Sequence, residues 1–433
     1  MSKLSKYLRK QKVKQLRLTW CDNANIIRAR VFSIDAIDKI NQSGIRISQA
    51  LQGVAVMSDQ VIAEAKLPMT QDILLKPDWL SFHVLPYSEA SACVMSRMMD
   101  SAVGWALCPR QFLMGMMSKL FEKTGLTMQV GFDQAFQLFA EDNPLQQVSA
   151  SSRQLLDKFD LFLTDLSDVL KTMNLQPMLF HAQAGYNRFN FSFDAMDPLA
   201  AADHQILFRQ TVHGLAMKYQ LRSEFLPMTH EEDGGNGGAL HFNLYQNNKK
   251  ATFNKEMLSD IASHFIAGIL YHLPDLMALT TPTVNSLRRI RPKHNVGCYQ
   301  VWGYDNRETP IEVPNYLAHD SSRGIVFKTV DASANPYLAL SGVIACGIDG
   351  VEKKMLLPRC VEYDPSLLPR HDSLKPLPIE LGEILKSVER SPFFKTLLGD
   401  QLFSAYIAVK KVEYEFFKQK TLAQEVALLR SIY

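Results

Sequence analysis

The residues most able to do chemistry lie in an acidic, glycine-rich run and the segment behind it. Glu231-Glu232-Asp233 leads into Gly234-Gly235-Asn236-Gly237-Gly238, and His241 follows three residues later. Glycine lets a backbone approach a ligand closely, but a glycine run does not by itself bind phosphate. An imidazole at the end of such a loop serves either as a site group or as a hydrogen-bonded structural histidine. A second reactive class is thin: Cys21, Cys93, Cys108, Cys298, Cys346 and Cys360 lie far apart with no C-x-x-C spacing. Neither a zinc knuckle nor a disulfide framework follows, and reduced thiols in a cytosolic protein are expected. At the start, Lys3, Lys6, Arg9, Lys10, Lys12, Lys14 and Arg17 precede the first acid, Asp22. Such a run can meet an anionic partner or a membrane surface; the expectation is a solvated basic helix leading into a strand.

The elements that must position these groups can be read from composition and pattern. A chain of 433 residues suggests two or three domains, and 47% hydrophobic against 21% charged residues supports a large core. Lys plus Arg, 47, nearly balances Asp plus Glu, 44, so no global field singles out nucleic acid as a partner. No run of 18 apolar residues or secretory leader is present, so a cytoplasmic protein without a membrane span is expected. Residues 13–20 and 26–32 alternate around Asp22-Asn23-Ala24-Asn25, the chemistry of a β-hairpin. Residues 34–40 and 111–123 have helical spacing, and Cys108-Pro109-Arg110 is an entry turn. Residues 125–139 read as two strand-like runs, 153–173 as one long helix, and 177–193 as a strand pair with Phe189, Phe191 and Phe193 on one face. Further helices are expected at 201–219 and 255–279, a strand at 239–245, a proline-containing link at 365–378 (including Pro369 and Pro376), and helices after it. Strands mixed with long helices, without a βαβ period, indicate an α+β fold, with a boundary near residue 105 dividing 1–105 from 106–433.

Several blocks, in order, resemble the glutamine synthetase superfamily. Thr281-Pro282-Thr283-Val284-Asn285-Ser286-Leu287-Arg288-Arg289 is similar to its P-T-x-N-S-x-x-R stretch. Trp302-Gly303 with Asn306-Arg307 resembles the W-G-x-x-N-R block of the γ-glutamyl-amine branch. Asp331-Ala332-Ser333-Ala334-Asn335-Pro336-Tyr337 resembles D-x-x-A-N-P-Y, and Asn236-Gly237-Gly238-Ala239-Leu240-His241 resembles N-G-S-G-x-H. Residues 404–407 and 410–415 look like the family's terminal helix, and Asp22, Pro77-Asp78 and Cys108-Pro109-Arg110 match weaker landmarks. Single blocks are weak; their order is specific. The resemblance implies a β-grasp domain followed by a catalytic-type domain whose curved antiparallel sheet forms a funnel, with subunits assembled in rings. It implies ATP, Mg²⁺ or Mn²⁺, and attack of ammonia or an amine on a glutamyl phosphate.

The resemblance also locates departures. The family strand G-x-E-x-E-F-x-L-F appears as Gly131-Phe132-Asp133-Gln134-Ala135-Phe136-Gln137-Leu138-Phe139, and E-x-x-x-G-Q-x-E as His181-Ala182-Gln183-Ala184-Gly185-Tyr186-Asn187-Arg188. The glutamate of R-x-E-x-R becomes Val326, and an arginine of I-R-I-P becomes Glu312. The flap acid of glutamine formers falls near Asn295, and no acidic D-G-S-S segment lies near residues 44–53. Asp133, His181 and His241 are left as candidate metal ligands. Arg289, Arg307, Asn236, Gly237 and Arg188 are left as candidate substrate- or phosphate-binding residues. Arg188 would repel a divalent ion by several kcal/mol at moderate dielectric. It can instead take a phosphate or carboxylate bidentately, or pair with Asp133 in the vacated space. Glu231, Glu232, Asp233 and Glu312 are candidate replacement carboxylates. The expected function is that of a degenerate family member that binds an anionic small molecule, or another glutamine synthetase family protein, without two-metal chemistry. The alternative is an active ATP-dependent carboxylate–amine ligase with a rebuilt site.

Overall fold

The computed structural model describes residues 3–100, 104–140, 147–175, 177–315, 324–367 and 374–433. The first hairpin folds for the reason its turn residues suggest. Asp22 Oδ1 accepts from the backbone N–H groups of Ala24 and Ile26 at 3.0 and 2.8 Å, and Asn25 takes a left-handed φ of 64°. Gln15–Cys21 and Ile27–Ser33 then pair antiparallel. Gln15–Cys21 also lies parallel to Ser91–Met99, within a first sheet of six described strands. The basic Lys3–Lys10 helix buries Leu8 and leaves Lys3, Lys6, Arg9 and Lys10 exposed.

Pro109–Thr124 is a helix with proline in its first turn and the Cys108 thiol accepting from Gln111 N–H. It leads to the centre of a second, curved sheet. The order there is Trp302–Tyr304, Ile311–Val313, Ile325–Asp331, Gly237–Gln246, Leu126–Ala140, Arg188–Ser192, Leu179–Gln183. The first two strands pair parallel; the rest of the ladder is antiparallel. The two runs expected over 125–139 are one strand of 15 residues. Gly131 does not break it: a Cβ there would stand 2.3 Å from the Phe193 carbonyl oxygen, so the glycine admits a crossing backbone.

Two helix expectations are also corrected. The helix over 153–173 is divided into Arg153–Lys158 and Asp160–Thr172, because Phe159 leaves helical geometry and packs edge-on to Phe189 at 5.6 Å. The helix expected from residue 255 starts at Asp260, where the Ser259 hydroxyl accepts from Ala262 N–H; Lys255 instead has a left-handed φ of 56° in a small hairpin. Of the proline link, 365–367 forms a single 3-10 turn and Pro369 lies outside the described residues.

One face of the second sheet is core. Phe136 is fully buried, with Phe189, Phe191, Phe208 and Phe225 at centroid distances from 5.3 to 5.9 Å. The opposite face is therefore the one that alternate residues present outward. Landmarks scattered in the sequence meet where the two sheets join. Arg110 is buried between Asp78, at 2.7 Å, and Asp203, which it grips with two bonds of 2.9 and 2.8 Å. Tyr337 donates to Asp203, Asn335 Nδ2 to the Asp22 carbonyl at 2.9 Å, and Asn25 Nδ2 to the Ala332 carbonyl at 2.6 Å.

Candidate functional site

Strand alternation decides which side chains share the outward face. On the central strand these are Asp133, Ala135 and Gln137, since Phe132, Phe136 and Leu138 turn to the core. Register sets Ser192, Asn190 and Arg188 beside them on one flank. On the other flank Ala239 lies beside Asp133, His241 beside Val326, and Val326 beside Glu312.

Asp133 and His241 meet. His241 Nε2 lies 2.6 Å from Asp133 Oδ2, and their side chains are 40% and 21% exposed. Burial alone would lower the His241 pKa; the charge and hydrogen bond of Asp133, with Glu312 beyond, outweigh it and raise it. Asp133 Oδ1 is buried without a hydrogen-bond partner. His181 does not join them. It sits half-buried on the Leu179–Gln183 edge strand, two strands or about 10 Å from the Asp133 strand. The position between is taken by Asn190, which pairs with Ala135 and His181. A shared ion needs ligand bonds of about 2.0–2.6 Å. Among the described residues no three His, Cys, Asp or Glu side chains converge as a metal cluster.

Arg188 does not pair with Asp133. It is 7% exposed, and its Nη1 donates to Asp233 Oδ1 at 3.0 Å and to the Gly235 carbonyl at 2.6 Å. Asp233 also accepts from Gln137 Nε2 and the Gly234 N–H, at 2.9 and 2.6 Å. Burial lowers the Arg188 pKa and the Asp233 charge opposes that. Of the candidate replacement carboxylates, Asp233 thus balances Arg188, whereas Glu231 and Glu232 are exposed. Glu312 is engaged by Lys328 at 2.9 Å.

Arg289 approaches the same glycines from the other side. It is 3% exposed; its Nη2 donates to the Val330 carbonyl at 3.0 Å, and its Nε has no partner. Burial, with Arg188 nearby, lowers its pKa against the opposing charge of Asp331. Gly234 and Gly237 are close-approach positions: Cβ atoms there would stand 2.8 Å from Arg188 Nη2 and 2.9 Å from Arg289 Nη1. The loop is a cradle with a guanidinium on either flank. Asn236 anchors it, fully buried, with Nδ2 donating to Gln137 Oε1 and the Leu226 carbonyl at 3.1 and 3.0 Å, while its Oδ1 has no partner. Arg307 is exposed; its carbonyl accepts from Lys328 Nζ at 2.7 Å, which ties the segment to the edge of the site. Sequence reasoning missed Gln137 as the group joining strand to cradle, although its place two residues beyond Ala135 put it on this face.

A family profile described as glutamine synthetase, catalytic domain, matches residues 106–429. The type-1 glutamine synthetase 1 of Dictyostelium discoideum is 25% identical over 97% of this chain and 90% of its own length. The glutamine synthetase of Pyrococcus furiosus is 31% identical over 71% of this chain and 72% of its own. The gamma-glutamylpolyamine synthetase GlnA3 of Streptomyces coelicolor is 34% identical over 57% of this chain and 55% of its own. A solved structure described as a novel glutamine synthase homolog superposes with a TM-score of 0.87 at 23% identity, covering 97% of this chain and 99% of that one.

Proposed function

The chain belongs to the glutamine synthetase family, and from that premise we propose that it is a degenerate member whose cradle holds an anion with resident guanidinium groups. The observation that carries this reading is the Arg188–Asp233 pair, buried where the resemblance calls for a metal-binding glutamate. On this reading the outward face does not suit two hard cations. Ala135 and Val326 offer no donor atoms, Arg188 brings a fixed positive charge, and Asp133 is engaged with His241. Arg289, buried with no carboxylate bound to it among the described residues and with an unpartnered Nε, favours a phosphate or carboxylate beside the cradle. Assembly into a ring, alone or mixed with another family member, belongs to the same proposal. Co-purification with such a synthetase would support the mixed form.

Titration calorimetry with ATP and with pyrophosphate tests the central claim. Binding in EDTA, unchanged by Mn²⁺, is the expected result. Binding seen only after Mg²⁺ or Mn²⁺ is added sinks it.

A second reading is an active ATP-dependent carboxylate–amine ligase with a rebuilt site. It is favoured by Asp133 Oδ1, buried without a partner, and by Glu312, which register places beside Val326 and thus near the carboxylate missing there. The relative named as a gamma-glutamylpolyamine synthetase makes amines worth testing as substrates. Release of ADP that depends on ammonia or a polyamine would select this reading over the first.

A further inference from the structure

Behind the cradle lies a second apolar cluster, separate from the main core. It joins three distant parts of the chain: Ala24 and Val56 from the first unit, Leu226 and Met228 ahead of the glycine loop, and Phe417, Leu422, Val426, Leu429 and Tyr433. Two polar groups fix its contacts. Tyr433, fully buried, donates its hydroxyl to the Ala24 carbonyl at 2.6 Å. Glu425, also fully buried, lies on the Leu422–Leu429 helix, whose start is held by a capping box of Thr421 and Gln424.

Glu425 reaches the site through two residues. Its carboxylate accepts from Arg288 Nη2 and Nε at 2.8 to 3.1 Å and from Asn285 Nδ2 at 3.1 Å. Asn285 in turn bridges Met228 both ways, donating to its carbonyl at 2.9 Å and accepting from its N–H at 2.8 Å. One residue earlier, the Pro227 carbonyl accepts from Asn236 N–H at 2.7 Å. Arg288 directly precedes Arg289 in the chain. A single buried carboxylate therefore holds the segment that carries Arg289 directly and, through Asn285, reaches the segment that anchors Asn236. Nothing in the chemistry of the outward face uses Glu425, and a buried carboxylate placed only for helix stability would be a costly choice.

We infer that Glu425 is a positioning residue for the anion cradle. It sets the spacing between the Arg289 guanidinium and the glycine loop through its bonds to Arg288 and Asn285. The inference rests on the reading of the cradle as an anion site. Charge and hydrogen bonds have separable parts: glutamine at 425 keeps an oxygen for Asn285 Nδ2 but loses the charge facing Arg288.

The test compares wild type, Glu425→Ala and Glu425→Gln as full-length chains. Hydrogen exchange without ligand should quicken about tenfold at the Met228 and Asn236 amides in Glu425→Ala, with partial recovery in Glu425→Gln and no change in the Leu126–Ala140 strand. Pyrophosphate affinity should fall about tenfold in Glu425→Ala and recover in the same order. A variant that lowers the melting temperature yet leaves Met228 and Asn236 exchanging as in wild type overturns the inference, since the helix is then only structural. Should Glu425→Ala fail to fold, Glu425→Gln decides by the same amides. Wild type that binds no pyrophosphate removes the anion reading, while the exchange result still decides the role of Glu425.

Discussion

At Arg188 a positive charge is held nearly out of water by one carboxylate and one backbone carbonyl. Removing one partner of such a pair strands the other charge. Arg188→Ala is expected to cost about 3–5 kcal/mol of unfolding free energy, whereas a matched apolar replacement of both Arg188 and Asp233 costs far less. Urea unfolding of the two variants measures the difference. The Asp133–His241 contact gives a pH signature. The His241 pKa is raised in the folded state, so its contribution is full below the unfolded value of about 6.5 and is lost as pH rises through the folded value. Asp133→Asn should therefore destabilise more at pH 6 than at pH 8.5; equal losses at both would contradict the ionic character of the contact. Much at this scale was legible in the sequence. The family resemblance marked Ala135, Val326 and Arg188 as positions where glutamates are expected, and strand register sets them on one face. The partner of Arg188 was not legible, because Asp233 is brought to it by a loop 45 residues further on, and loop paths carry no period.

At the scale of elements, the cradle depends on a turn that precedes it in the chain. Gly185 has a φ of 125°, and a Cβ there would stand 2.2 Å from Asp233 Oδ1. Gly185→Ala pays for both the backbone angle and the collision, and about 2–3 kcal/mol of stability should go with it. Because the displaced group is the partner of Arg188, anion affinity should fall too, which calorimetry on the folded fraction would read. Hairpins and helix caps were legible from local chemistry, as at Asp22–Asn25. The misread elements share a physical cause. Gly131, Phe159 and the 255–259 segment are shaped by what packs against them, a crossing backbone, a phenylalanine core and a small hairpin, rather than by their own propensities.

Across the whole molecule, the two sheets are joined by charge rather than by grease alone. Arg110 binds one aspartate from each side, Asp78 and Asp203, and Tyr337 closes on the latter. The two halves should unfold together: tryptophan fluorescence and far-ultraviolet dichroism are expected to give coincident transitions in wild type. Asp203→Asn, which leaves Arg110 undercompensated, should lower the midpoint and separate the two probes. Transitions that already differ in wild type would show that the junction does not couple the halves.

The bond from Tyr433 to Ala24 spans 409 positions. A ribosome making this chain delivers the clasp more than four hundred peptide bonds after the hairpin, so the hairpin has to wait, part of its apolar underside uncovered, while the residues between are synthesised. Loops that long are slow to close. Newly made molecules should accordingly lean on chaperones until residues 417–433 have emerged, and chains truncated ahead of Phe417 should clump rather than persist as stable fragments.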